Sequence, residues 1–80
     1  MKKLEIENNL TNVFREVFSN TSIIISDDLS AKDIDGWDSL THMLLIVEIE
    51  NFFSIKFKLK DLNKMKNVGD MIKIIETKMN

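Results

Sequence analysis

A serine lies where a polar loop gives way to an apolar run, in the stretch IDGWDSLT at residues 34–41. Asp38 precedes Ser39, and His42, the only histidine of the chain, follows three residues later. A carboxylate, a hydroxyl and an imidazole are the groups of a hydrolytic triad. A serine at this place can also cap a helix, or it can be the point at which another group is attached. The surrounding elements must decide among these three interpretations.

Hydrolysis is the least favoured of the three. Residues i and i+3 of a helix can be neighbours, but a triad also needs an oxyanion hole and a substrate pocket. A chain of 80 residues buries only roughly 60 to 65% of its surface on folding, which leaves little room for a deep pocket. We therefore predict that the protein is not an enzyme.

Composition excludes several further kinds of site. The chain has no cysteine, so it has no disulfide and no thiol nucleophile, and a single histidine argues against a zinc centre. The aspartates between residues 27 and 38 do not fit the spacing of a calcium loop. We predict no metal site.

Charge and hydropathy limit the partners and the location. The net charge is −2, and the late basic run KFKLKDLNKMK is short and interleaved with acidic and apolar residues, so nucleic-acid binding is not expected. No apolar stretch approaches the ~18 residues that a membrane span requires. We expect one domain over residues 1–80, monomeric and cytoplasmic, without a membrane segment.

Two segments flank the serine region with helical periodicity. Residues 4–19 carry a single apolar face, formed by Ile6, Leu10, Val13, Phe14, Val17 and Phe18. Residues 67–80 carry another, formed by Val68, Met71, Ile72, Ile75 and Met79. Each pattern predicts an amphipathic helix.

The helix predicted from Ser39 to Phe53 has two apolar faces, and Asp38 or Ser39 can cap it. One face comprises Leu45, Ile49, Phe52 and Phe53, with Ile46 beside it. The other comprises Leu40, Met43, Leu44 and Val47. A small bundle seldom buries both faces of one helix, so either this is the central helix or the second face awaits a partner.

Two segments are less regular. Residues 20–37 form a long loop, whose Leu29 and Ile34 should close one end of the core. In SIKFKLKDL, apolar residues alternate with lysines as in a half-buried strand, so an α+β fold stays open on periodicity alone.

The order of these features resembles the acyl carrier protein family. The resemblance rests on DIDGWDSLTHMLLIVEIENFF, then a short LKDLNKM and then NVGDMIKII, and it spans essentially the whole chain. It implies an all-α four-helix bundle, with three longer helices, a short third helix and a long loop between the first two.

In this family the serine of Asp-Ser-Leu carries a 4′-phosphopantetheine arm derived from coenzyme A. The resemblance therefore makes Ser39 the attachment site, with Asp38 and Leu40 beside it. The thiol of the arm holds acyl or aminoacyl groups as thioesters. The implied partners are a phosphopantetheinyl transferase, a loading enzyme and a downstream synthase or transferase.

Departures from the family pattern suggest a specialised carrier. Glu48 and Glu50 keep the acidic character of the second helix, whereas Leu44 and Asn51 stand where acids are common. Lysines at 56, 58 and 60 replace a typically acidic segment. We therefore expect a stand-alone carrier of a dedicated biosynthetic pathway rather than the housekeeping carrier of fatty-acid synthesis. We assign partner binding to Leu40, Met43, Leu44, Val47 and Glu50. The alternative of another class is a helical interaction module without a cofactor.

Overall fold

The computed structural model of the chain describes residues 2–79; Met1 and Asn80, the last residue of the predicted fourth helix, lie outside this range. Over residues 2–79 the chain forms four α-helices and a 3₁₀ turn, with no β-strand. In chain order they are α1 (Lys3–Val17), the 3₁₀ turn (Ala31–Asp33), α2 (Ser39–Phe53), α3 (Leu59–Asn63) and α4 (Val68–Met79). The predicted all-α fold is confirmed, and the strand alternative is wrong. No helix within the described range has both the length and the apolar character needed to cross a membrane.

The core forms around α1, which packs against both α2 and α4. Its fully buried side chains come from the predicted faces of these three helices; they are Ile6, Leu10, Phe14, Leu45, Ile49, Val68, Met71, Ile72 and Ile75. Val17 and Phe18, also predicted on the apolar face of α1, are partly buried against this core. The single apolar faces of α1 and α4 are both buried, because they pack into the same hydrophobic core.

The two faces of α2 have different fates. Leu45, Ile46, Ile49 and Phe53 are buried, as predicted. Phe52 was placed on the same face, and this is wrong, because its side chain is 54% exposed. At about 100° per residue, Phe52 lies about 60° from Ile49, on the side opposite Ile46. It therefore falls just outside the arc that α1 covers, and its ring contacts the Phe53 ring, at 5.1 Å between centroids.

The loop between α1 and α2 is fastened near its start and near its middle. Arg15 Nε donates to the Ile23 carbonyl at 2.9 Å, which ties the start of the loop to α1. Farther on, the N–H of Val68 donates to the Leu29 carbonyl, also at 2.9 Å. Leu29 and Ile34 pack against the core, as predicted. These bonds hold a long connection in place whose regular structure is limited to the 3₁₀ turn.

Gly69 permits the closest approach of this loop to α4. Its N–H donates to the Asp27 carbonyl at 2.9 Å. A Cβ at residue 69 would lie 3.1 Å from both the Cβ and the carbonyl oxygen of Asp27, closer than ordinary van der Waals contact. The absence of a side chain lets the loop reach the first turn of α4.

The segment that resembled a strand leads instead into α3. Ile55 is buried and Phe57 partly buried, but Leu59, the third residue of the alternation, is 75% exposed. An ion pair between Asp61 and Lys78, 2.9 Å apart and largely shielded from solvent, joins α3 to α4. No side chain of α3 is fully buried, and this ion pair is one contact that joins the helix to α4.

Candidate functional site

Ser39 is the first residue of α2, and Asp38, not Ser39, is the N-cap. Gly36 makes the turn before it with a φ of 87°, a conformation that glycine adopts without strain. The Ser39 side chain is exposed. The interpretation of Ser39 as a helix cap is therefore wrong, and its hydroxyl is left at the helix N-terminus without a capping role.

Asp38 and Thr41 cap α2 reciprocally. The N–H of Thr41 donates to Asp38 Oδ1 at 2.9 Å, and the N–H of Asp38 donates to Thr41 Oγ1 at 2.8 Å. The Thr41 hydroxyl in turn donates to the Gly36 carbonyl at 2.6 Å. The bond from the Thr41 N–H is the main reason that the pKa of the Asp38 carboxyl lies below its ordinary value. An ionised carboxylate at this end also suits the helix dipole.

Trp37 and His42 form a second link between the loop and α2. Trp37 Nε1 donates to His42 Nδ1 at 3.0 Å, and the two rings lie nearly parallel, with centroids 6.0 Å apart. The indole also contacts the Phe14 ring in a T-shaped arrangement, at 5.3 Å between centroids. Burial lowers the pKa of the His42 imidazole below its ordinary value. Trp37 thus packs the loop against the bundle and fixes the orientation of His42.

These bonds do not form a hydrolytic triad. The Asp38 carboxylate accepts from Thr41, and His42 Nδ1 accepts from Trp37. In a triad the acid would instead orient the imidazole, and the imidazole would accept from the serine. Among residues 2–79 there is also no cluster of His, Asp or Glu side chains that could hold a metal ion.

A shallow groove of about 540 Å³ runs beside Ser39. We call it the Ser39 groove; it is lined by Ala31, Trp37, Asp38, Ser39, His42, Met43 and Met65. Apart from the Asp38 carboxylate and the edge of His42, its walls are mostly apolar. A flexible chain that begins at Ser39 can lie along these walls.

The second apolar face of α2 is exposed. The central helix of the bundle is α1, so α2 does not bury both of its faces. We call it the α2 stripe; Leu40, Met43, Leu44 and Val47 are between 47% and 72% exposed. Glu50, predicted with them as a partner contact, is partly buried, and its Oε2 accepts from the N–H of Phe57 at 2.8 Å. The structure therefore brings Ser39 and the start of the stripe together, and it engages Glu50 in the α2–α3 connection.

Sequence reasoning missed the bond between Trp37 and His42, although a signal was present. His42 lies about 20° from Ile49 around α2, which is the centre of the buried face. A polar residue at such a position needs a partner, and the indole N–H is a donor that lies just before the helix.

Comparison with known proteins agrees with the geometry. No protein-family model matches the chain. The acyl carrier protein of Thermotoga maritima is 37% identical, and the match covers 80% of this chain and 93% of that protein. The acyl carrier protein of Exiguobacterium sibiricum is 32% identical over 99% of this chain and all of that protein.

A solved structure is also similar. The solution NMR structure of a holo acyl carrier protein from Geobacter metallireducens superimposes with a TM-score of 0.87 and is 48% identical, covering 91% of this chain and 84% of that one. Such identities over nearly full-length relatives, together with the same fold, leave no other assignment: the chain belongs to the acyl carrier protein family.

Proposed function

We propose that this protein carries acyl or aminoacyl groups as thioesters on a 4′-phosphopantetheine arm attached to Ser39. The observation that supports this proposal best is the division of roles at the start of α2. Asp38 caps the helix, so the exposed Ser39 hydroxyl is available for esterification. The arm supplies the thiol that the cysteine-free chain lacks.

The residues around Ser39 fit such an arm. Its phosphodiester would lie at the N-terminus of a helix of 15 residues, where backbone N–H groups and the dipole favour negative charge. Its uncharged part would find the apolar walls of the Ser39 groove. Asp38 maintains the turn that presents Ser39, and Leu40, the next residue, begins the surface that a partner enzyme would meet.

The protein itself would not catalyse a reaction. It would present its cargo to a phosphopantetheinyl transferase first, and then to a loading enzyme and a downstream synthase or transferase. These partners must approach Ser39 along α2, so the exposed α2 stripe is the surface they would contact.

We further propose a dedicated pathway rather than housekeeping fatty-acid synthesis. Residues 54–66 contain five lysines and one aspartate, and in α2 the residues Leu44 and Asn51 stand where acids are common in the family. A partner enzyme that binds this surface would need a basic patch less than the partners of a carrier with an acidic second helix. The Glu50 side chain is partly buried, and its carboxylate accepts a bond from the Phe57 N–H, so it is held in the connection between α2 and α3.

Intact mass tests the attachment. After incubation with coenzyme A and a phosphopantetheinyl transferase, we expect the protein to gain the mass of one phosphopantetheine group. Ser39→Ala should gain nothing, while its far-ultraviolet circular dichroism stays that of the parent. Ser22→Ala, which removes another exposed serine hydroxyl, should be modified normally.

Two results would contradict the proposal. A mass gain that persists in Ser39→Ala would move the attachment elsewhere. A folded parent protein that is never modified would favour the interaction module without a cofactor.

A further inference from the structure

The bond between Trp37 and His42 exists only while His42 is neutral. An indole nitrogen is a donor and never an acceptor, so His42 Nδ1 must present a lone pair to it. The imidazole proton is then on Nε2. Protonation would place a second N–H on Nδ1, opposite the indole N–H at 3.0 Å, and two donors cannot bond. The Trp37–His42 pair is therefore sensitive to protonation by its geometry.

The surroundings of His42 do little to compensate a positive charge. The side chains that share the Ser39 groove with it come from the 3₁₀ turn, the loop, α2 and the segment before α4; they are Ala31, Trp37, Asp38, Ser39, Met43 and Met65. Asp38 is the one charged group among them, and its Oδ1 accepts from the Thr41 N–H. Behind the indole, α1 offers the rings of Phe14 and Phe18.

The direction of the pH effect follows from this environment. Burial lowers the pKa of His42 below its ordinary value of 6.5, so the folded protein binds fewer protons here than the unfolded chain. The stabilisation by the neutral pair is fully present above about pH 6.5 and is lost as the pH falls through the lower pKa of the folded state.

The pair also determines the shape of the Ser39 groove. Trp37 and His42 form adjacent parts of its wall, and His42 is one turn along α2 from Ser39. Once the bond to His42 is lost, the indole keeps its ring contacts with Phe14 and Phe18 of the core but no longer fixes the imidazole. A released imidazole is free to turn toward solvent, because it is only partly buried.

We propose that protonation of His42 breaks the Trp37–His42 pair and opens the wall of the Ser39 groove, which makes the groove a pH-sensitive element of this carrier. The opening is a property of the unmodified chain. Its effect on an attached arm rests on the proposed function.

Trp37 is the only tryptophan, so its fluorescence and its indole N–H resonance report on the pair directly. As the pH is lowered from 8 through the ¹⁵N titration of His42, we expect both signals to follow one protonation, with a midpoint below 6.5 that matches that titration. Once His42 is protonated, the indole proton should exchange with solvent about fivefold faster than it does at the same pH in a variant that keeps the bond, as expected for loss of one hydrogen bond.

His42→Asn supplies that variant. Asn Oδ1 lies as far along the side chain as His Nδ1 and accepts a hydrogen bond, but it does not titrate. Its indole signals should resemble those of the parent at pH 8 and stay constant down to pH 5. His42→Ala should show the opened state at every pH. Because the titrations of the indole signals and of the His42 ¹⁵N signals are compared within the parent protein, a poorly folded variant would not remove the test.

The outcomes separate the two proposals. An indole resonance that does not change while His42 takes up its proton would overturn the pH-sensitive groove, as would an identical titration in His42→Asn. Ser39→Ala should titrate like the parent. If the pair titrates but Ser39 is never modified, only the proposed carrier function fails; if Ser39 is modified and the indole is insensitive to pH, only the groove proposal fails.

Discussion

At the scale of the residue, the site depends on which side chain caps α2. Ser and Asp are both good caps, and the sequence places one after the other. The capping role falls to Asp38 because Thr41 lies three residues later and returns the bond to the Asp38 N–H. Ser39 consequently occupies the first helical position. The exposed Ser39 hydroxyl is thus presented at the N-terminus of α2 without loss of the helix cap.

The Thr41 hydroxyl should carry a measurable part of this arrangement. Thr41→Val keeps the shape of the side chain and removes the bonds to Asp38 and to the Gly36 carbonyl. We expect a loss of about 0.5 to 2 kcal/mol in the free energy of unfolding, as for a lost cap. Urea denaturation monitored by circular dichroism measures it.

Thr77→Val is the matched control for this measurement. The Thr77 hydroxyl donates to the Lys73 carbonyl within α4 at 3.0 Å, on an exposed surface, and such a bond adds little to stability. Its substitution should change the free energy of unfolding by no more than about 0.5 kcal/mol. Equal losses in both variants would mean that Thr41 does not secure the turn.

At the scale of the element, periodicity predicted the helices well and predicted their faces less well. The predicted bounds of α2, Ser39 to Phe53, agree with the structure, and the signal for its start is a local one, the cap. Phe52 was misplaced because the width of the buried arc depends on how α1 lies against α2, which no local pattern contains. The alternation in SIKFKLKDL failed as a strand for the same reason: no partner strand exists within residues 2–79, and a lone strand leaves its backbone unpaired.

For the candidate site, too, the sequence predicted some features and missed others. The resemblance to the carrier family, carried by the Asp-Ser-Leu stretch and its place before an apolar helix, points to Ser39, because these are features of sequence order. The Trp37–His42 pair and the engagement of Glu50 by Phe57 depend on side chains that meet only after folding.

The asymmetry of α2 leads to a prediction on stability. Ile49 is fully buried, so Ile49→Ala should cost roughly 2 to 5 kcal/mol, a large fraction of the stability of a domain of this size. Phe52→Ala removes a larger side chain that is 54% exposed and should cost less. Thermal and urea unfolding of the two variants compare them directly. If Phe52→Ala were the more damaging change, the assignment of the two faces would be reversed.

At the scale of the whole molecule, charge and apolar surface are separated along the chain. The loop at 27–38 holds five aspartates and one lysine, whereas residues 54–66 hold five lysines and one aspartate. Between these segments in sequence lies α2, with its apolar stripe. On the proposed function, a partner that approaches Ser39 would therefore contact Asp38 and then Leu40, Met43, Leu44 and Val47.

Apolar contact should dominate that encounter. Burying one such side chain contributes roughly 1.5 to 3 kcal/mol, whereas an exposed ion pair contributes about 0 to 1 kcal/mol. We predict that Leu44→Glu or Val47→Glu lowers kcat/KM for modification by the phosphopantetheinyl transferase at least about tenfold, with little change in Tm, because both side chains are about half exposed.

Leu4→Glu is the control for an added charge. Leu4 is 67% exposed, and it lies about 15 Å along α1 from Phe14, which contacts Trp37 beside the site. Its kcat/KM should stay that of the parent. Raising the salt concentration from about 0.05 to about 0.5 M should change the parent's kcat/KM less than either stripe substitution does, because salt screens exposed charges and leaves apolar contacts in place. A collapse of Tm in Leu44→Glu would show that the stripe belongs to the core. Modification that survives both stripe substitutions and disappears in salt would show that the partner recognises charge instead.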